Sequence, residues 1–341
     1  MKRFTGKLFF CMLLSYATAI KAQDPNFSQF FVSPLTLNPA LTGHFDGALR
    51  MAGNYRNQWP TISNAFITST LSADLSITGP AVKSGDVLGV GVMLMNDQAA
   101  NGILTTNHFS LATAYHKTLD AAGYHSLGVG FQGILTNRRL DGTKLNFASE
   151  LDALGGWTHP TVEPINDRSV SLQYMDMATG LVYNGSTTGK NNISVGASMY
   201  HVFGPVEQFA GDGGYRLKPR YTVHSTVMTP VGYGGELHLS GMYSQQMGAS
   251  NLVLGAASGL LLNPESEKQA RLYLGCWYRF RDAVIPYVGL TVGSFRFGSS
   301  YDVTVSSLGR PIQARGGAEF SIIYIKQRSE QARRVTPCPI F

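Results

Sequence analysis

SLGVGFQGIL, residues 126–135, sets Leu127, Val129, Phe131 and Leu135 on one side of an extended chain and Ser126, Gly128, Gly130 and Gln132 on the other. Side chains two apart share a face only in a strand, so this spacing predicts a β-strand with one apolar face and one small or polar face. The pattern recurs. Leu88, Val90, Val92 and Leu94 alternate with Gly89 and Gly91, and Leu272, Leu274, Cys276, Tyr278 and Phe280 alternate with Arg271, Gly275 and Arg279. Turn residues separate about fourteen such segments, the first over 45–57 and the last over 313–326, which is the period expected of a transmembrane barrel.

Composition points the same way. Only 14% of the 341 residues are charged, while 38 are glycine and 11% aromatic. A typical soluble domain carries ~25% charge. Mean hydropathy is nonetheless −0.02, because apolar and small polar residues average out along alternating strands. Membrane helices would instead need runs of ~20 apolar residues.

The N-terminus reads as an export signal over residues 1–22, with Lys2, Arg3 and Lys7 before an apolar core and Ala17, Ala19 and Ala22 at its end. Cleavage is expected after Ala22, with Ala19 as the alternative. Four of the 27 basic residues and none of the 21 acidic ones lie in this leader, so the formal charge of +6 falls to +2 without it. That leaves no electrostatic footprint for a nucleic acid. Cys276 and Cys338 remain; export permits a disulfide between them, and free thiols fit equally.

Exported alternating strands with an even count predict an all-β outer-membrane barrel of about fourteen antiparallel strands over residues 45–326, in contact with the lipid bilayer. The two longest connections, 138–168 and 204–216, fall on the same side, and most of the opposite turns are short. Short turns belong to the periplasm and long loops to the exterior. About fourteen strands enclose more space than wall side chains fill. Residues 23–44 are the candidate filling. Pro25, Pro34 and Pro39 forbid one regular element there, yet the segment carries Phe27, Phe30, Phe31, Leu35 and Leu37 and needs cover. Residues 327–341 form a basic tail expected in the periplasm.

Motifs for chemistry are absent or misplaced. Gly128, Gly130 and Gly133 match GxGxxG, but the motif lies inside a strand with no helix after it to receive a pyrophosphate. Inward glycines of a barrel account for it. His108 and His116 on one strand read as lumen residues and not as a catalytic base. Asp141, Glu150, Asp152, Glu163 and Asp167 in the long loop are nearly balanced by Arg138, Arg139, Lys144 and Arg168 and suit a solvated recognition loop better than a metal site. No cofactor, metal or catalytic set is expected, and a lipase would need a serine and histidine at the lipid boundary.

QDPNFSQFF, PLTLNPALTG and NYRNQWP near the start, GSSYDVTVSSLGR near the end and a CPIF terminus together resemble the PorP/SprF family of type IX secretion system membrane proteins over essentially the whole mature chain. The resemblance implies an outer-membrane barrel without catalytic residues. It would assist export or surface anchoring of cargo such as gliding adhesins, beside the secretion machinery and periplasmic peptidoglycan-associated proteins. The alternative is a passive or fatty-acid-type transporter. Phe27, Phe30, Phe31, Trp59 and Trp157 are the expected partner contacts: Trp59 closes the first strand, and Trp157 lies in the longest loop.

If residues 24–43 fill the lumen, deleting them lowers the melting temperature of the barrel or opens a conductance. A deletion that changes neither makes the segment a free periplasmic arm.

Overall fold

In the computed structural model, which describes residues 24–60, 66–79, 82, 85–161, 169–209, 214–262, 270–306 and 316–328, alternation has become strands throughout. They are β1 (Leu49–Gln58), β2 (Phe66–Ile77), β3 (Val87–Ala99), β4 (Leu104–Thr118), β5 (His125–Asp141), β6 (Ser169–Gly185), β7 (Asn192–Tyr200), two short strands β8 (Val206–Glu207) and β9 (Tyr215–Arg216), then β10 (Arg220–Val231), β11 (Gly235–Gln246), β12 (Ala249–Leu261), β13 (Ala270–Arg279), β14 (Ala283–Val292), β15 (Phe295–Thr304) and β16 (Gly317–Lys326). All but β8 and β9 form one closed antiparallel barrel, sealed where β16 pairs with β1. The fourteen barrel strands match the fourteen sequence segments. The first begins at Leu49 and not at 45, because Phe45 is buried beneath the Arg50 guanidinium, 4.8 Å from its ring centroid. The leader and residues 329–341, including Cys338, lie outside the described residues. Cys276 faces outward as a free thiol.

The apolar face looks out. Leu71, Leu94, Phe109, Leu135 and Met175 sit opposite one another across β2 to β6, and all are exposed. One step towards the long-loop end the row becomes Ser69, Asn96, Asn107, Asn137 and Gln173, with the Asn96 amide donating to Asn107 Oδ1 at 2.7 Å. The change from an apolar to an amide row is the one expected where hydrocarbon gives way to the interface on this side of the barrel. Among the described residues no helix is long and apolar enough to cross a membrane. The strands do the crossing.

The lumen is full. Residues 24–48 enter near the long-loop end, pass through a one-turn helix α1 (Pro34–Leu37) and a 3-10 turn (Pro39–Leu41), and leave at the short-turn end into β1. Phe27, Phe30, Val32, Leu35, Leu37, Ala40 and Phe45 are buried. Phe31 packs on Trp277 with ring centroids 4.9 Å apart and edge-on to Tyr287 at 5.6 Å. Leu35 packs with Met93 and Ala112, and Val32 with Ala52 and Ile323.

A proline-broken backbone cannot satisfy itself, so the wall does it. Glu319 accepts the N–H groups of Ser28 at 2.8 Å and Gln29 at 2.9 Å. Tyr200 donates to Leu35 O and Ser198 to Leu37 O, both at 2.6 Å. The Asn38 amide donates to Leu181 O at 2.9 Å. Lower down, His116 Nε2 lies 2.9 Å from Thr42 O, and Asp74 accepts the Gly43 N–H at 2.7 Å while pairing with Arg50 at 2.8 Å. Buried charges at the upper end are paired: Asp302 meets Arg56 at 2.8 Å and Arg279 at 3.0 Å, and Ser28 Oγ donates to Asp302 at 2.6 Å. Removing one member would strand another without water.

The glycines of 126–135 and their neighbours let the plug approach. A Cβ on Gly130 would be driven into the Pro39–Ala40 backbone, one on Gly180 into the Asn38 side chain and one on Gly89 into the Thr42 carbonyl. This gives a test with a sign opposite to strand propensity. Gly130→Val would favour an ordinary strand, but here it should lower stability by about 1–3 kcal/mol through overpacking, read as a fall in the melting temperature of the detergent-solubilised barrel. Gly133, unlike the inward Gly128 and Gly130 of the same GxGxxG match, faces outward and meets nothing within 4 Å, so Gly133→Val should not.

Candidate functional site

With its lumen filled, the barrel presents surface for recognition mainly at its ends, and the long-loop end is the more elaborate. Asp24, the first described residue, lies between His201 Nε2 at 2.7 Å and Arg220 at 3.4 Å, and Gln246 Oε1 accepts its N–H at 2.9 Å. The other ring nitrogen, His201 Nδ1, meets Asp176 at 2.6 Å. His201 can hold this place because it follows β7 with φ 59°, which turns the chain back over the rim. Burial pulls the His201 pKa down, but the two carboxylates override it and raise it to about 9. Burial pushes Asp24 up, and Arg220 and His201 more than reverse that, holding it well below the usual carboxylate range. Two carboxylates, an imidazolium and a guanidinium thus latch the plug where it begins.

A second element, the lid, follows His201 along the chain. The β8–β9 hairpin is tied down by Glu207, which pairs with Arg138 and accepts the Tyr174 hydroxyl at 2.7 Å, and Phe209 lies under the Arg138 guanidinium with its ring centroid 5.8 Å away. Beside the latch the cavity bounded by Asp24, Met93, His108, Ile134, Tyr200 and His201 is about 50 Å³. At the short-turn end a cavity of about 160 Å³ lies among Phe31, Phe45, Arg50, Arg296 and Ile323. Ligand pockets for organic solutes are ~300–1,000 Å³, so neither of these two admits one; a more open hollow of about 460 Å³ lies in the wall among Leu71, Leu94, His108, Phe109 and Leu135.

The residues expected to meet a partner are divided by the fold. Phe27, Phe30 and Phe31 lie in the plug, the first two buried and the third packed on Trp277. Trp59 sits just past β1 at the long-loop end, its ring edge-on to Phe66 at 5.7 Å. Trp157 is 52% exposed in the long loop, in a bridge with Leu151, beside the fully exposed Leu154. The two tryptophans are the ones placed at the outer rim.

The acidic residues of the long loop shape the loop itself. Asp152 accepts the N–H groups of Leu154 and Gly156 and the Thr158 hydroxyl, each at 2.8 Å, and the Gly156 bond leads in lowering its pKa. Asp141 takes the Thr143 hydroxyl at 2.6 Å, and Glu150 closes a turn on the Phe147 N–H at 3.2 Å. Glu163 and Asp167 lie outside the described residues. Among the described residues no cluster of His, Cys, Asp or Glu could hold a metal. His108 pairs with Thr136 Oγ1 at 2.8 Å, and His116 serves the plug.

Sequence reading missed the lid and the latch. His201 falls inside the strand expected over 190–203, and its partners lie 177 and 25 residues away, so no local pattern points to it.

Comparison with solved structures places the fold among outer-membrane barrels. The toluene transporter TbuX of Ralstonia pickettii superposes with a TM-score of 0.52 at 12% identity, covering 87% of this chain and 94% of its own. A FadL homologue of Pseudomonas aeruginosa gives 0.46 at 10% identity, covering 84% and 92%. BamA of Haemophilus ducreyi gives 0.42 at 9% identity, covering 82% and 70%. No curated protein matches the chain. Residues 19–324 match the family described as Type IX secretion system membrane protein PorP/SprF. The chain is an outer-membrane β-barrel and belongs to the PorP/SprF family.

Proposed function

We propose that the chain is a sealed, non-enzymatic scaffold of type IX secretion, which holds an exported protein at the cell surface and is not itself the conduit. The observation that carries this is the plug: residues 24–48 span the lumen and are hydrogen-bonded to the wall near both ends, by the Asp24 latch above and by Asp74 and His116 below. A barrel so closed can act through its rims. The outer rim, with Trp59, Trp157 and the β8–β9 lid, is the side for cargo such as a gliding adhesin. The inner rim, from which the tail departs after Arg328 bonds Ser76 O at 2.7 Å, is the side for the machinery and peptidoglycan-associated partners. The leader 1–22 directs export and is removed. The transporter reading shares the barrel architecture of TbuX, but among the described residues the plug occupies the lumen.

A deletion strain should fail to display at least one type IX substrate at the surface while the purified protein shows no conductance at neutral pH. Normal display of every substrate would sink the proposal, and robust conductance without a cargo defect would favour transport.

The latch makes a further prediction. His201 binds its proton more tightly folded than unfolded, so its stabilisation, on the order of 2 kcal/mol, is complete below about pH 6.5 and lost as pH rises through about 9. Asp24 acts oppositely, and its contribution is lost only in acid. Melting temperature should therefore fall between pH 7 and 10 in wild type, and His201→Gln should flatten that dependence.

A further inference from the structure

We infer that the upper edge of β6, residues 169–175, is the docking site for an extended strand of the exported partner, bound by β-strand addition just outside the membrane. The inference rests on the anchoring function proposed above and names the chemistry of the contact.

The two walls beside the rim differ in height. β6 pairs with β5 along its whole length, from Asp141 opposite Ser169 to His125 opposite Gly185, without a bulge. β7 pairs with β6 only up to Met199 opposite Thr179. Above that point the chain makes one more bond to β6, Val202 N to Met177 O at 3.0 Å, and then turns inward to form the lid. The Met177 N–H is capped by Asp176 Oδ1 at 2.7 Å. Because the Met177 carbonyl faces the β7 side and the register is unbroken, the N–H and C=O groups of Ser169, Ser171, Gln173 and Met175 face that side too. Among the described residues no strand pairs with them.

Such an edge is a template for another strand, and edges that must stay empty carry Lys, Pro or bulges. SVSLQYM, residues 169–175, has no Lys, no Pro and no charge. Its span is roughly 20 Å, enough for a strand of ordinary length. Position adds a cost to leaving it empty. Gln173 lies in the amide row at the membrane boundary and Met175 in the last apolar row, where backbone groups lacking partners are expensive. Beside the edge, Met175 is 74%, Phe203 59% and Val206 52% exposed. The fitting partner is therefore an uncharged strand with apolar residues where it crosses Met175 and Phe203. Main-chain bonds would supply affinity and this patch the selectivity.

A photo-crosslinking amino acid placed singly at Ser169, Ser171 and Gln173 in the full chain, in native membranes, tests this. The expected result is crosslinks to one segment of an exported protein, at sites two residues apart. Crosslinks to a second copy, to residues 201–219 of the same chain or to lipid alone, while an exported protein still co-purifies, would overturn the edge and leave the anchoring function standing. Absence of any co-purifying exported protein with wild type would overturn both. In parallel, Gln173→Pro removes an edge N–H without touching the β5 ladder. It should keep the heat-modifiable migration of a folded barrel and lose the partner at least ten-fold, whereas wild-type retention would count against the edge.

Discussion

Every backbone N–H and C=O at membrane depth needs a partner that is not water, and most of this structure follows from that requirement. In the wall it forces closure, so β16 returns to β1 over the full length of the strand, from Leu49 opposite Lys326 to Gln58 opposite Gly317. In the lumen it demands that an irregular segment be met by side chains. Glu319, Tyr200, Ser198, Asp74 and Arg220 provide those contacts. The polar inner face and the proline-broken plug are therefore two halves of one solution.

Charge inside the barrel is tolerable for the same reason. Arg56 and Arg279 share Asp302, Arg50 is matched by Asp74, and Arg220 reaches Asp24. Buried pairs of this kind add little net stability against apolar packing but punish the loss of one member. They therefore specify where the plug sits. The aromatic contacts of Phe31 with Trp277 and Tyr287 supply packing that hydrogen bonds alone would not.

A filled lumen moves function to the rim, and the rim is uneven. β5 and β6 each run 17 residues, whereas β7 stops after 9. The tall side carries amides where the hydrocarbon ends, and the short side is roofed by the β8–β9 hairpin. Family membership supplies the secretion context, and the asymmetry leaves the upper part of β6 without a strand beside it among the described residues.

Alternation along single strands was enough to mark fourteen strands and to put Leu127, Val129, Phe131 and Cys276 on their apolar faces, because side-chain period is a local property; the export signal, the size and the even count then turned those faces outward in a barrel. The same step assigned Gly128 and Gly130 to the lumen. Prolines and aromatics marked residues 24–43 as a segment needing cover. Only tertiary structure decided that Asp24 lies at the long-loop end, that His201 and Arg220 hold it, and that β6 outruns β7. Those contacts join residues as far apart as 222 positions, and no local pattern encodes which side chain a loop will meet across a lumen.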